Sequence, residues 1–336
     1  MRLLELLDGF RSKRVAVIGD LIADEFIYGR VARLSREAPV LILQYDSTQI
    51  VPGGAGNAAN NVAALGARTD IVALAGKDEA GTRLVASLGR VGTAGLVRPA
   101  SYCTPVKTRI LAGGVHTAKQ QIVRIDRVAT SGYDAKSRAA FERAALKAAA
   151  SCDAILLSDY GTGLVTPALA NALRRKSAAK DRAVAILVDS RYALLHYRGL
   201  TACTPNESEV EQILGVRIGD DGKVLEKAGR ELLKRTRMKA VLVTRGSRGM
   251  SLFENGRPTV HLPIYGSDEV ADVTGAGDTV IATLTLAIAA GGSFSEAARL
   301  ANYAGGVVVM KRGTATVSPE ELRDAIRNEE RLTKNA

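Results

Sequence analysis

Asp272-Val273-Thr274-Gly275-Ala276-Gly277-Asp278 runs directly into an apolar stretch from Thr279 to Ala290. This pattern describes a glycine turn opening a buried helix. Gly275 and Gly277 let the backbone approach a ligand, and the first N–H groups of a helix lack intrahelical acceptors, so the turn can hold an anion such as a phosphoryl group in transfer. Asp278 stands where a base would be needed. A carboxylate there is also an ordinary capping residue, but capping does not require two glycines just before it.

Two further stretches could bind ligands. Gly53-Gly54-Ala55-Gly56-Asn57 reads either as a tight turn before a helix capped by Asn57 or as bare backbone against which a hydroxylated ligand can lie. Asn206 and Glu209 have the spacing of a capping box, and the same oxygens could face a water-bridged Mg²⁺.

Several chemistries are excluded. There is no G-x-x-x-x-G-K-[ST] loop, no H-R-D kinase loop and no G-x-S-x-G elbow, and His116, His196 and His261 have no metal spacing. The Gly54 to Ala59 segment fits a loose dinucleotide pattern but follows Pro52-Gly53 instead of the first strand, and Gly19-Asp20-Leu21-Ile22 supplies no glycine fingerprint for a nicotinamide enzyme. The formal charge of +11 comes from dispersed Lys and Arg with no accompanying aromatic motif, so it fits a solvated surface plus an anionic small molecule better than nucleic acid. Cys103, Cys152 and Cys203 are odd in number and far apart, which points to a reducing cytoplasm. The N-terminus lacks an apolar signal core, and the run after Asp278 is shorter than the roughly 18 residues of a membrane span, so neither export nor a membrane is expected.

The elements that must position these residues alternate. Strands are expected at Val15–Gly19, Ile71–Ala75, Ala154–Leu157, Ala185–Val188 and Ala240–Thr244. Helices are expected at Asn57–Leu65 with Gly66 as stop, Lys136–Ala150, from Thr166-Pro167, after Asp278, near Ser295, and from the capping box Ser318-Pro319-Glu320-Glu321. Asn255-Gly256 should turn a hairpin. Parallel pairing in one α/β domain follows. Phe26–Tyr45 and Val106–Ile125, the latter folding back near Gly113-Gly114, show strand-like alternation with no helix, so segments 24–48 and 103–127 should form a small β-layer. Such a layer has to cover a site, pair with another subunit, or do both.

The glycine stretches together resemble the ribokinase-like (PfkB) sugar kinase family. Gly53-Gly54-Ala55-Gly56-Asn57-Ala58-Ala59 with Gly66 and Gly76 is similar to its first signature, and Asp272 to Asp278 to its second. Asn206-Glu207-Ser208-Glu209 resembles its N-x-x-E element, and Thr244-Arg245-Gly246-Ser247-Arg248-Gly249 its nucleotide loop. Within the family, Arg33 to Val40, Ser158-Asp159-Tyr160, Thr204-Pro205-Asn206 and Lys311 to Pro319 resemble the branch that phosphorylates D-glycero-β-D-manno-heptose 7-phosphate at O1. That branch usually has Asp-Tyr-Ala-Lys-Gly and Asp-Pro-Lys where this chain has Asp159-Tyr160-Gly161-Thr162-Gly163 and Asp189-Ser190-Arg191.

The resemblance implies a ribokinase-like α/β/α fold of three layers with a β-lid, and use of ATP, Mg²⁺ and a monovalent cation such as K⁺. It implies Asp278 as base, with the N–H groups of Gly275, Ala276, Gly277 and Asp278 around the γ-phosphoryl. Asp24, Gly53, Gly54, Asn57 and Asp159 would bind the sugar. The β-layer segments carry Arg30, Arg33, Arg36, Lys107, Arg109, Lys119 and Arg124, more positive charge than a lid over a neutral sugar needs, so a phosphorylated sugar is expected, with Arg109 and Arg33 as candidates for its distal phosphate. Asn206, Glu207, Ser208, Glu209, Thr244, Gly246, Gly249 and Asn302 would hold the nucleotide, with Asn206 and Glu209 meeting Mg²⁺ through water. A homodimer through the lid is expected. Too little chain follows Ser318 for a cytidylyltransferase-type domain, so a separate adenylyltransferase is expected as pathway partner. Other family substrates (ribose, fructose phosphates, nucleosides) and a catalytically silent binding protein are the alternatives.

Overall fold

The computed structural model describes every residue except 114–118, 129–131, 179–183, 267–271, 312 and 336. Gly114, His116 and Arg312, which entered the reading above, lie outside the described residues. Among the described residues twelve strands form two sheets. The larger contains β1 (Arg14–Gly19), β4 (Arg68–Val72), β7 (Ala154–Asp159), β8 (Ala185–Ser190), β9 (Ala202–Cys203), β10 (Ala240–Thr244), β11 (Met250–Glu254) and β12 (Val260–Leu262). Its spatial order is β12-β11-β10-β9-β8-β7-β1-β4, parallel except for the two hairpin pairings of β11. The smaller contains β2 (Leu21–Leu34), β3 (Leu41–Gly54), β5 (Val106–Gly113) and β6 (Gln120–Arg127), in the order β3-β2-β5-β6.

The central strands of the large sheet present successive side chains to opposite sides and are buried on both faces. Val15 and Val17 enter one core with α1 (Arg2–Gly9), α2 (Ala55–Ala64), α8 (Ala276–Ala289), α9 (Phe294–Val309) and α10 (Pro319–Asn335). Ala16 and Ile18 enter the other, with α4 (Ala135–Ala149), α5 (Pro167–Ala178), α6 (Glu207–Leu214) and α7 (Gly222–Thr236). The remaining helix, α3 (Glu79–Ala86), packs beside β2 and β3. The result is the three-layer α/β/α arrangement expected.

Boundaries moved for identifiable reasons. The strand expected at Ile71–Ala75 runs Arg68–Val72; Ala75 instead donates its N–H to Val97 at 3.0 Å as irregular chain. Helix α2 starts at Ala55 with Gly54 as its N-cap, so Asn57 sits inside the first turn and is not the cap. Ser318 and Glu321 exchange the expected reciprocal hydrogen bonds at 2.9 and 3.2 Å. Among the described residues no helix is long and apolar enough to cross a membrane.

The lid is longer than expected. Its strand β2 leaves β1 after a single residue, Asp20, and β3 delivers Gly53-Gly54 straight into α2. Two hairpin-like segments are joined through the parallel pairing of β2 with β5. Away from its root the lid is exposed on both faces, with Leu34, Leu41, Tyr45, Ile122, Val123 and Ile125 open to solvent.

Candidate active site

Asp278 lies in the first turn of α8 and is buried, at 4 % exposure. Asn57 Nδ2 donates to its Oδ2 at 2.8 Å, and the Tyr160 hydroxyl donates to its Oδ1 at 3.3 Å. Burial raises its pKa to about 7, opposed by the Asn57 hydrogen bond, reinforced by the negative charge of Asp24, and opposed again by Tyr160 and Lys107. A carboxylate held there takes up a proton near neutrality, which suits a general base.

The amide that meets Asp278 is itself fixed. Asn61, one turn later on α2, donates to Asn57 Oδ1 at 3.2 Å, and Thr279 donates to Asn61 Oδ1 at 2.8 Å. The i, i+4 spacing of Asn57 and Asn61 places both on the α2 face that packs on α8. Asn57 therefore orients the Asp278 carboxylate. Neither Asn61 nor Thr279 was singled out from sequence, although the spacing was visible.

Gly275 has φ +79°, and a Cβ there would stand 2.4 Å from Asn57 Nδ2, so glycine is required on two counts. Ala276 donates its N–H to Val273 at 3.2 Å. This corrects the expectation that all four N–H groups of the turn face an anion. Among the described residues the N–H groups of Gly275, Gly277 and Asp278 have no such acceptor. Asp272 braces the turn, accepting from Thr274 at 2.8 Å and Gly313 at 3.0 Å.

Tyr160 is held through its own loop. Asp20, between β1 and β2, accepts from the Tyr160 N–H at 2.8 Å and from the Thr162 hydroxyl. Burial lifts the Asp20 carboxyl to about 6, against the pull of those donors. Thr162, standing where the related branch has lysine, thus fastens the loop. Asp159 departs from the expected role: its carboxylate accepts from Gly161 N–H, Ser190 and Tyr197 at 3.0, 2.7 and 2.8 Å and is buried, so within this chain it shapes the loop.

Gly53 and Gly54 are set by close approach. A Cβ on Gly53 would meet Asp24 Oδ2 at 2.3 Å, and one on Gly54, which has φ +57°, would meet the Asp20 carbonyl at 2.5 Å. Asp24 is paired with Arg109. Arg109, expected at the distal phosphate, is thus held by a carboxylate within this chain. Arg33 is exposed nine residues further along β2, roughly 30 Å from Asp24 at strand spacing, and within this chain it is not brought to the site.

The expected nucleotide residues do converge. Asn206, Glu207, Ser208, Thr244, Gly246, Gly249 and Asn302 line one cavity of about 580 Å³, whose inner end is made by Ala276 and Gly277, next to Asp278. Asn302 donates to Pro263 at 2.8 Å, holding one wall. Glu207 pairs with Arg248 at 2.8 Å and Arg245 at 3.4 Å through Oε2, while its buried Oε1 has no partner among the described residues. Glu209 does not line the cavity; with Asn206 it forms the capping box of α6, at 2.8 and 3.0 Å.

Among the described residues no three acidic, His or Cys side chains group to hold a metal unaided. The donors present still fit a hydrated Mg²⁺. Burial, then the charges of Asp278 and Glu209, push the Asp189 carboxyl well above its ordinary range, and burial raises Glu209 as well. Carboxylates whose charges disfavour one another's ionised form suit a hard cation that keeps its waters.

Comparison with known proteins agrees with this geometry. The sequence profile of the pfkB family carbohydrate kinases matches residues 12–321. The chain is 42 % identical over 311 residues to the bifunctional protein HldE of Geobacter sulfurreducens, covering 91 % of this chain and 61 % of that protein. It is 42 % identical over 323 residues to the protein of the same name in Proteus mirabilis, covering 96 % and 65 %. The chain thus spans a little over three-fifths of the length of these relatives. Phosphofructokinase-2 from Escherichia coli, solved with potassium, superposes with TM-score 0.75 at 18 % identity over 94 % of this chain and 99 % of that one. Arabidopsis thaliana ribokinase complexed with ribose and ATP gives 0.71 at 19 %, over 94 % and 98 %. With the fold, the two glycine signatures and these matches in agreement, the chain belongs to the pfkB family of carbohydrate kinases.

Proposed function

We propose that this chain is a single kinase domain that transfers the γ-phosphoryl group of ATP to O1 of D-glycero-β-D-manno-heptose 7-phosphate, giving the 1,7-bisphosphate on the route to ADP-heptose. The observation that carries the phosphotransfer reading is the meeting of the nucleotide cavity with Asp278 at the Ala276-Gly277 turn. The choice of sugar is supported by the branch-like stretches around Arg33 to Val40 and Lys311 to Pro319, and by the identity to proteins named HldE.

In this reading Asp278 takes the proton of the O1 hydroxyl as that oxygen bonds to the γ-phosphorus; the bond to the β,γ-bridging oxygen breaks, and ADP leaves with its electron pair. The N–H groups of Gly277 and Asp278, at the positive end of α8, face the charge that develops on the transferring group. Asn57 and Tyr160 keep the base aimed. Magnesium, when bound, neutralises phosphate charge, and Asn206 and Glu209 would meet it through water. A monovalent cation such as K⁺ belongs to the same proposal, supported by the potassium complex of phosphofructokinase-2.

The lid's exposed apolar side chains on both faces support a homodimer formed through it. Cys103, Cys152 and Cys203 form no disulfide, in keeping with a cytoplasmic protein. Adenylylation of the product would fall to an adenylyltransferase; the relatives' printed description as bifunctional supports that coupling.

The test is ADP release with ATP and Mg²⁺ across a panel of sugars and sugar phosphates, including ribose, fructose phosphates and the heptose 7-phosphate. Preference for the heptose 7-phosphate is expected. Preference for another sugar would keep the kinase and discard the heptose, and no turnover with any sugar would leave a silent fold.

A further inference from the structure

We infer that Asp20 is a positioning residue for the phosphotransfer: from the root of the lid it hangs the Tyr160 loop, and through that loop it holds the second oxygen of Asp278. The inference rests on the reading of Asp278 as the base and names the residue that keeps its Tyr160 contact in register.

Asp20 is the single residue between β1 and β2, so it belongs at once to the main sheet and to the lid. Its backbone is fixed on both sides. The N–H donates to the Ser158 carbonyl on β7 at 3.0 Å, and the carbonyl accepts from Ala55, the first residue of α2, at 2.9 Å. Gly54 makes room for this convergence, since a Cβ there would stand 2.5 Å from the Asp20 carbonyl oxygen and 3.4 Å from the Tyr160 ring. The side chain then commits both oxygens to one loop. Oδ2 accepts from the N–H groups of Tyr160 at 2.8 Å and Thr162 at 3.4 Å, and Oδ1 accepts from the Thr162 hydroxyl. Three donors answer a carboxylate that is only 2 % exposed.

Two donors hold Asp278, and they are secured differently. Asn57 sits on a helix and is locked by Asn61 and Thr279. Tyr160 makes the longer contact, at 3.3 Å, from a loop in which Gly161 and Gly163 both have positive φ. Such a loop has other conformations open to it unless its bonds select one. Tyr133 and Arg138 reach the carbonyls of Thr162 and Gly163, at 3.4 and 3.2 Å, further along the loop. The Tyr160 end therefore hangs chiefly on Asp20, whose own backbone is registered to the helix that carries Asn57.

The experiment compares wild type with Asp20→Asn, Thr162→Val, the conservative Thr162→Ser, and each of the first two combined with Tyr160→Phe. The Asp278 carboxyl is titrated by ¹³C NMR on protein labelled at the aspartate carboxyls, its resonance identified by its loss in Asp278→Asn, and the pH profile of kcat/KM is measured in parallel. The ionisable groups facing Asp278 are Asp24, Lys107, Tyr160 and Asp189, and those facing Asp20 are Asp159, Tyr102, Tyr133 and Tyr197. Removing the Asp20 charge would by itself lower a neighbouring carboxyl's pKa, so a rise separates lost positioning from lost charge. Asp20→Asn and Thr162→Val should raise the Asp278 pKa and the acid limb by up to about one unit, and cut kcat/KM near pH 6.5 by about threefold to tenfold, the scale of one hydrogen bond. Thr162→Ser should restore most of the loss, and neither substitution should shift the titration further in the Tyr160→Phe background. An Asp278 titration that stays put or falls, or that rises equally without the Tyr160 hydroxyl, would overturn the positioning role. The expected titration shifts in a protein that turns over no sugar would uphold the positioning of Asp278 and remove the kinase reading.

Discussion

Asn57 and Asp278 stand 221 positions apart in sequence and are joined by a 2.8 Å hydrogen bond between the first turns of two packed helices. The bond runs from a donor whose own orientation is fixed by Asn61, so the scaffold aims the Asp278 carboxylate before any substrate arrives. Asn57→Ala should lower kcat/KM by about tenfold to hundredfold, on the scale of one proton-transfer or positioning contribution. KM for ATP should hardly change, since Asn57 does not line the nucleotide cavity. A parallel rise in KM for ATP would show that the substitution had disturbed α8 itself.

Tyr160 acts on the other oxygen of the same carboxylate, and its effect should appear as pH dependence. Activity requires the deprotonated base, so the acid limb of kcat/KM should lie near pH 7 and activity should fall below it. Tyr160→Phe removes a donor that favours the charged form, so the limb should move to higher pH. Asn57→Ala should move it further, because the Asn57 hydrogen bond lowers the pKa more than Tyr160 does. A limb unmoved in both variants would mean that another group limits the rate.

The same buried carboxylate should cost stability. Its pKa rises from 3.8 in the unfolded chain to about 7 in the fold, so the folded state holds the proton more tightly. The stability linked to it is complete below about pH 4 and is lost as the pH climbs through 7, up to about 4 kcal/mol. Asp278→Asn should therefore melt several degrees higher than wild type at pH 8, with the difference shrinking towards pH 4. Thermal melts across that range would refute the linkage if the difference were constant.

Much of this was legible in the chain because local chemistry and the global fold agree. Buried strands such as Val15–Gly19, the capping box at Ser318 and Glu321, and the glycine turn before Asp278 all depend on neighbours close in sequence. Asn206, Glu207, Ser208, Thr244, Gly246 and Gly249 line one cavity because they belong to two short motifs; Asn302 joins them from a distant helix, and Glu209 does not line it. What escaped was pairing across the fold. Asp24 neutralises Arg109 through the β2–β5 register, Asp159 is held by Ser190 and Tyr197, and Arg33 is carried outward along β2. None of those partners is signalled locally, so a count of positive charges on the lid could not tell which would remain open. Lys107 was counted there, but its place over Tyr160 comes from the contact between lid and loop.

The most direct measurement is the turnover number of Asp278→Asn with ATP, Mg²⁺ and D-glycero-β-D-manno-heptose 7-phosphate, taken beside the dissociation constants for both substrates. Asparagine keeps the shape and removes the base, so kcat should fall by at least about 10²-fold while both substrates bind near wild-type strength. Near-normal turnover by Asp278→Asn would contradict the assignment of this buried carboxylate as the base.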